Sequence, residues 1–179
     1  MTHQEKPLAS SFRDPADHVG RESRGHISAQ PKTVLLVEDG EDEILIFKVA
    51  CKRAAATFAL QFARDGREAI EYFSGTGPYA DRQQHPIPAL VILDINMPSV
   101  SGFEVLEWIR KHPQFKNVPV VMLTTSMFDT DVSRAYALGA NSYLVKPVDT
   151  KVLVEMIPML ERYWIGMNRV PGNVLDQRS

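Results

Sequence analysis

The chain has 179 residues, of which 44% are hydrophobic and 23% are charged, and its formal net charge is −2. This balance favours a globular domain with a hydrophobic core and lacks the cationic excess of a protein that neutralises many nucleic-acid phosphates. A single cysteine excludes an internal disulfide framework and a zinc–cysteine cluster. The apolar runs are far shorter than the ~18 residues of a membrane span, and no secretory signal is visible. We therefore expect a cytoplasmic protein that binds neither DNA nor a membrane.

Three segments differ in composition. Residues 1–31 contain three prolines, three of the five histidines and no apolar periodicity, so a flexible N-terminal tail is predicted. Residues 32–164 have the pattern of a folded domain, and residues 165–179 are predicted to be a C-terminal tail. Because only 15 residues follow Trp164, we expect no separate effector domain.

Strand-like and helix-like segments alternate along residues 32–164. The predicted strands are Thr33–Val37, Phe58–Ala63, Leu90–Leu93, Val118–Leu123 and Asn141–Val145. The predicted helices are Glu41–Ala54, Arg67–Ser74, Gly102–Lys111, Asp129–Leu138 and Asp149–Trp164, with a long polar loop over residues 75–88. Pro158 removes a hydrogen bond from the last helix, so a bend near Val154–Pro158 is predicted. The alternation predicts an α/β fold: one five-stranded parallel sheet, doubly wound.

Acidic, hydroxyl and amine side chains stand at the ends of four predicted strands. They are Glu38–Asp39 after the first, Asp94 after the third, Thr124–Thr125 after the fourth and Lys146–Pro147 after the fifth. Ligand sites of such sheets lie beyond the carboxyl ends of the strands, so these side chains should converge. Clustered carboxylates repel one another, and Mg²⁺ relieves that repulsion with oxygen ligands. A carboxylate beside Mg²⁺ and a lysine is equipped to accept a phosphoryl group.

Four motifs occur in order at these strand ends: VLLVED at 34–39, LDINMP at 93–98, LTTS at 123–126 and YLVKP at 143–147. Together they resemble the receiver domains of two-component response regulators, over residues 32–164. The long loop, the LTTS run and the aromatic C-terminal helix further resemble the stand-alone regulators that partner phytochrome-type histidine kinases. The resemblance implies a flavodoxin-like sheet and phosphorelay signal transduction. It also implies a protein that is not an enzyme and only phosphorylates and dephosphorylates itself.

Position by position, the resemblance implies a phosphoacceptor and a Mg²⁺ site. Asp94 is the implied phosphoacceptor and also a metal ligand, and Asp39 is the main acidic ligand. Glu38 would act nearby through a coordinated water. Asn96 would offer its backbone carbonyl to the metal.

The resemblance also assigns roles at the fourth and fifth strands. Thr124 would hydrogen-bond to the bound phosphoryl group and Lys146 would form an ion pair with it. Tyr143 matches the switch aromatic, which packs inward when Thr124 moves. The Lys146–Pro147 peptide is expected to be cis, as is typical of the family. Thr125 stands where a smaller residue often occurs, and we expect its bulk to narrow access to the phosphoacceptor.

The leading expectation is a single-domain response regulator that a histidine kinase phosphorylates on Asp94. Phosphorylation would alter the face formed by helix four, strand five and helix five, which would bind a downstream protein or form a homodimer. A phosphorelay intermediate that serves a histidine phosphotransfer protein stays open as an alternative. A haloacid dehalogenase-type aspartyl-phosphate hydrolase is a remote alternative, since Asn96 stands where those enzymes carry a second acid.

Overall fold

Five parallel strands form one sheet in the computed structural model, which describes residues 31–171. The strands are β1 (Thr33–Val37), β2 (Ala59–Ala63), β3 (Leu90–Leu93), β4 (Val120–Thr124) and β5 (Ser142–Val145). The helices are α1 (Glu41–Arg53), α2 (Gly66–Ser74), α3 (Gly102–Lys111), α4 (Asp129–Ala137) and α5 (Thr150–Leu160). The predicted α/β fold is confirmed. The predicted tails fall mostly outside the described residues, and their boundaries stay predictions.

The strand order is β2-β1-β3-β4-β5, so the order reverses between β1 and β3. In β1, Val37 is the register partner of Ala63 on one side and of Leu93 on the other. The next residues, Glu38 and Asp94, therefore leave the sheet side by side at the reversal point. This register places the acidic residues of two distant motifs at one edge.

The core consists of two layers, one on each face of the sheet. Alternate residues of β1 point to opposite layers, Leu35 and Val37 into one and Val34 and Leu36 into the other. Helices α2, α3 and α4 cover the first layer, and α1 and α5 cover the second. Cys51 lies in the second layer, where burial, together with the charge of Glu161, raises the pKa of its thiol to about 12.

The chain stays helical beyond the predicted end at Trp164. Helix α5 runs through Pro158 and continues as a π-helical segment, Glu161–Met167. The departure from α-helical hydrogen bonding begins at Glu161, and the bend near Val154–Pro158 stays a prediction. The segment is tied to the domain at two points: Thr57 donates its backbone N–H to Glu161 at 2.8 Å, and Lys32 Nζ donates to the Ile165 carbonyl at 2.7 Å.

The predicted polar loop between α2 and β3 is ordered. It contains a 3₁₀ turn, Gly77–Tyr79, and buries the Tyr79 ring. The Arg82 guanidinium donates to the carbonyls of Tyr72 and Phe73, which closes the loop against the carboxyl end of α2. Within residues 31–171, no helix combines the length and the apolar character that crossing a membrane requires.

Candidate functional site

Glu38, Asp94 and Lys146 meet beyond the carboxyl ends of β1, β3 and β5. Lys146 Nζ lies 2.6 Å from Glu38 Oε2 and 2.9 Å from Asp94 Oδ2. Both carboxylates are buried, with only 4% and 5% of each residue exposed. Buried charges of this kind persist only when they are paired. The convergence predicted from the strand ends is therefore present, and one ammonium group holds two carboxylates together.

Asp39 completes a group of three acidic residues. Oxygen atoms of Glu38, Asp39 and Asp94 all lie within 4.8 Å of one another, and Asp39 is exposed to solvent. Carboxylate oxygens with one solvent-facing side suit a hard divalent cation that keeps several waters. The residues thus fit the predicted metal. Asn96 is exposed in the loop after β3, and its carbonyl as a ligand stays a prediction.

Burial and ion pairing shift the pKa values of Glu38 and Lys146 in opposite directions. Burial raises the pKa of Glu38 and the nearby Asp94 charge adds to the rise, although Lys146 works against it. Burial acts against the Lys146 ammonium, but its hydrogen bonds to Glu38 and Asp94 outweigh burial and raise its pKa. Lys146 is therefore held in its cationic form at the place where incoming negative charge would need neutralising.

The backbone fixes the orientation of Asp94. Its Oδ1 accepts a hydrogen bond from the Ile95 N–H at 2.7 Å, so Oδ2 is the oxygen that faces Lys146. Helix α3 begins directly against this turn, where the Gly102 N–H donates to the Ile95 carbonyl at 3.0 Å. A Cβ at Gly102 would stand 1.9 Å from the Asp94 carbonyl oxygen. The sequence analysis missed this positioning role, although the Ser101–Glu104 capping box that starts α3 marks the place.

Thr124 and Tyr143 are connected through Ser126. The buried Thr124 Oγ1 accepts a hydrogen bond from the Ser126 N–H at 3.3 Å, and the Tyr143 hydroxyl donates to the Ser126 carbonyl at 3.1 Å. Ser126 Oγ in turn donates to Asp131 Oδ2 at 2.5 Å, at the start of α4. The predicted switch residues are thus brought together. The sequence analysis named Ser126 only as part of the LTTS motif and did not single out Asp131, since their connecting role depends on contacts that form only in the fold.

One expectation at the fifth strand needs correction. No peptide bond among residues 31–171 is cis, so Lys146–Pro147 is trans. The trans form of an X–Pro bond is favoured by about 0.5–1 kcal/mol, and the Lys146 ammonium reaches both carboxylates from the trans backbone. Thr125 is exposed beside the site, and its predicted effect on access to Asp94 stays a prediction.

The sequence model of the family "Response regulator receiver domain" matches residues 34–158, which include the whole acidic cluster and Lys146. The chain belongs to the response regulator receiver family. This membership places it among the proteins of two-component systems. The residues of the receiver motifs are thus the residues that meet in the site.

Three similar proteins match this chain over most of their own length. The probable methanogenesis regulatory protein FilR2 of Methanothrix harundinacea is 37% identical over 145 residues, 79% of this chain and 89% of FilR2. The structure of phosphorylated RcpA, a cyanobacterial phytochrome response regulator, matches with a TM-score of 0.72 and 32% identity, over 79% of this chain and 99% of RcpA. The Mn²⁺-bound form of response regulator Rcp1, a protein of Synechocystis, matches with a TM-score of 0.69 and 35% identity, over 79% and 100%. The resemblance to phytochrome-type regulators is confirmed.

Proposed function

We propose that this receiver is a single-domain response regulator that accepts a phosphoryl group on Asp94 from a histidine kinase, of the phytochrome type. It would signal through a protein–protein interaction that depends on the phosphoryl group. The observation that carries the proposal is the buried Glu38–Lys146–Asp94 cluster at the carboxyl edge of the sheet. The similarity to RcpA supports the kinase type.

Glu38, Asp39 and Asp94 would hold a divalent cation, for which we propose Mg²⁺, together with the Asn96 carbonyl. The cation would neutralise charge on the oxygens of the transferring phosphoryl group. The proximity of the three carboxylates supports this assignment. The Mn²⁺-bound structure of Rcp1 supports a divalent cation in this family.

Asp94 Oδ2 would attack the phosphorus of a phosphohistidine. A new oxygen–phosphorus bond forms, the phosphorus–nitrogen bond breaks, and the histidine nitrogen leaves with the electron pair of that bond. Oδ1 stays on the Ile95 N–H and fixes the carboxylate. Lys146 already touches Oδ2 and would pair with a phosphoryl oxygen after transfer.

Apolar side chains beside this cluster support docking of a donor protein. Leu45, Ile46 and Val49 of α1 are 58%, 42% and 41% exposed, and Val148 is fully exposed in the loop after β5. Ile46 and Val148 line a shallow cavity together with Lys146. A kinase domain that covers these residues would bring its phosphohistidine to Asp94 and exclude water from the transfer.

The structural change caused by phosphorylation would be transmitted through the loop after β4. Thr124 would turn toward the phosphoryl group, which requires it to give up its contact with the Ser126 N–H. Met127 and Phe128 follow in the same loop and are 76% and 72% exposed. Their new position would change the face of α4, β5 and α5, which would bind a downstream protein or a second copy of the chain.

Intact-mass measurement after incubation with Mg²⁺ and acetyl phosphate tests the proposal, beside the variants Asp94→Asn and Asp39→Asn. The wild-type chain should gain one phosphoryl group, Asp94→Asn none, and Asp39→Asn far less at equal Mg²⁺. A parallel reaction uses a phosphorylated histidine kinase as donor. A wild-type chain that gains no phosphoryl group from either donor would refute the assignment, as would an adduct on Asp94→Asn.

A further inference from the structure

Two adjoining cavities lie at the amino edge of the sheet, at the opposite end from Asp94. Their volumes are about 460 Å³ and 270 Å³, and Asn117, Pro119, Trp164 and Asn168 line both. The walls include residues that directly precede strands, such as Ala89 before β3. Cavities of this size accommodate small organic ligands.

Among residues 31–171, the charged residues that line the two cavities are all cationic. They are Lys32, Arg82, Arg110, Lys116 and Arg169, and no carboxylate of this part of the chain lines either cavity. Among residues 31–171, none of the five forms an ion pair with a carboxylate. This contrasts with the whole chain, whose net charge is −2. A site of one sign in an otherwise slightly acidic protein attracts ligands of the opposite sign.

The two most buried cations serve first as braces. Arg82 holds the carboxyl end of α2, and Arg110 donates to the Gly139 and Val118 carbonyls at 2.8 and 2.9 Å. They offset the partial negative charge of helix carboxyl ends at this edge. Lys116 and Arg169 are exposed, and no such contact occupies their charged groups within residues 31–171. Within the described part of the chain, these two residues supply the charge that no other side chain or carbonyl occupies.

The uncharged groups of the walls narrow the class of ligand. Trp164 lines both cavities, and its indole offers a flat apolar surface on which a planar ring can stack. The side-chain amides of Asn117 and Asn168 can both donate and accept hydrogen bonds, as the edge of a heterocyclic base requires. Charge, aromatic surface and amides together fit a phosphorylated heterocycle.

We propose that the amino-edge site binds a small polyanion of the nucleotide class. Lys116 and Arg169 would contact its phosphates, with Lys32 nearby, and Trp164 would stack on its base. Because the site is a whole sheet away from Asp94, binding would not require the phosphoacceptor, and its test is independent of the function proposed above.

Isothermal titration calorimetry of the full chain with ATP tests this proposal. The buffer contains a chelator, so that no divalent cation can recruit the triphosphate to the acidic cluster. We expect saturable binding that weakens as salt rises from about 0.05 M to about 0.5 M, since screening acts strongly on exposed charges. The double variant Lys116→Gln/Arg169→Gln should bind about tenfold more weakly, as the loss of two exposed charge pairs predicts.

Matched control variants distinguish ATP binding at the amino-edge site from nonspecific binding to other surface cations. Lys151→Gln removes a cation from the opposite end of the sheet and should bind ATP like the wild type, whereas Trp164→Phe should keep phosphate contacts but lose affinity for ATP relative to inorganic triphosphate. Wild-type chain that does not bind ATP would refute the proposal. Equal affinity of the wild type and the double variant would also refute it. ATP binding that appears only after removal of residues 172–179 would refute it too, since the chain's own end would then occupy the amino-edge site.

Discussion

The two edges of the sheet stabilise buried charge in different ways. At the carboxyl edge, Lys146 sits between Glu38 and Asp94, so charges of opposite sign are in direct contact. At the amino edge, the guanidinium groups of Arg82 and Arg110 bind backbone carbonyls and no carboxylate of residues 31–171. In the function proposed above, the first arrangement would exchange partners when a phosphoryl group is transferred to Asp94. The second is a fixed brace.

The difference follows from the direction of the chain. In a parallel sheet with helical crossovers, strand carboxyl ends and helix amino ends meet at one edge, and helix carboxyl ends meet at the other. Helix carboxyl ends present unpaired carbonyls and partial negative charge, which cations satisfy. The carboxyl edge supplies N–H groups such as that of Ile95, which orient a carboxylate. Each edge therefore selects its own kind of polar residue.

The largest effect is expected from Lys146→Ala, which removes the ammonium from between two buried carboxylates. The free energy of unfolding should fall by roughly 3–5 kcal/mol, the cost of breaking a buried ion pair. Mg²⁺ should recover part of the loss, because a cation then neutralises the same carboxylates. Urea unfolding at neutral pH with and without Mg²⁺ measures both effects.

The control is Lys111→Ala, which removes an exposed pair with Glu107 of nearly the same length, 2.7 Å. That pair lies one helical turn apart on the surface and should contribute only about 0.3–0.5 kcal/mol. Equal losses in the two variants would contradict the view that burial gives the carboxyl-edge pair its importance.

A smaller loss is expected from Arg110→Met at the amino edge. Four acceptors lose their donor: the carbonyls of Gly139, Lys116 and Val118, and Asn141 Oδ1. The free energy of unfolding should fall by roughly 2–4 kcal/mol, while phosphoryl transfer to Asp94 from acetyl phosphate should keep its rate. Chemical denaturation and a phosphorylation time course check the two halves. A slowed phosphorylation rate would show that the edges are coupled.

The smallest effect is expected from Gly102→Ala, which tests how the start of α3 supports Asp94 at the carboxyl edge. The added methyl group would meet the Asp94 carbonyl, so α3 must shift, at about 1–3 kcal/mol. The rate of phosphoryl transfer from acetyl phosphate to Asp94 should then fall, because the turn that supports Asp94 moves. Gly166→Ala is the control, since its nearest neighbour would be 3.8 Å away; a similar result for both glycines would exclude the steric explanation.

Much of the fold could be predicted because buried parallel strands are nearly continuous apolar runs. β1 and β3 have the predicted bounds. β4 begins at Val120 instead of Val118, because Pro119 has no N–H for the ladder. The acidic residues and Lys146 could be identified because each directly follows a strand. Ser126, Asp131 and Gly102 could not, since their roles depend on contacts that exist only after folding.

The sequence by itself determined the strands and helices and the polar residues that follow the strands, because these are local properties of short segments, and the alternation of the elements was enough to predict a parallel sheet. Only the tertiary structure decided which groups touch. It made Lys146 the shared partner of Glu38 and Asp94 through a trans peptide. It also brought Arg82 and Arg169 from distant segments to one cavity system at the opposite edge. The physical reason is that chain direction and strand order fix which ends of the elements meet, and no local pattern encodes that meeting.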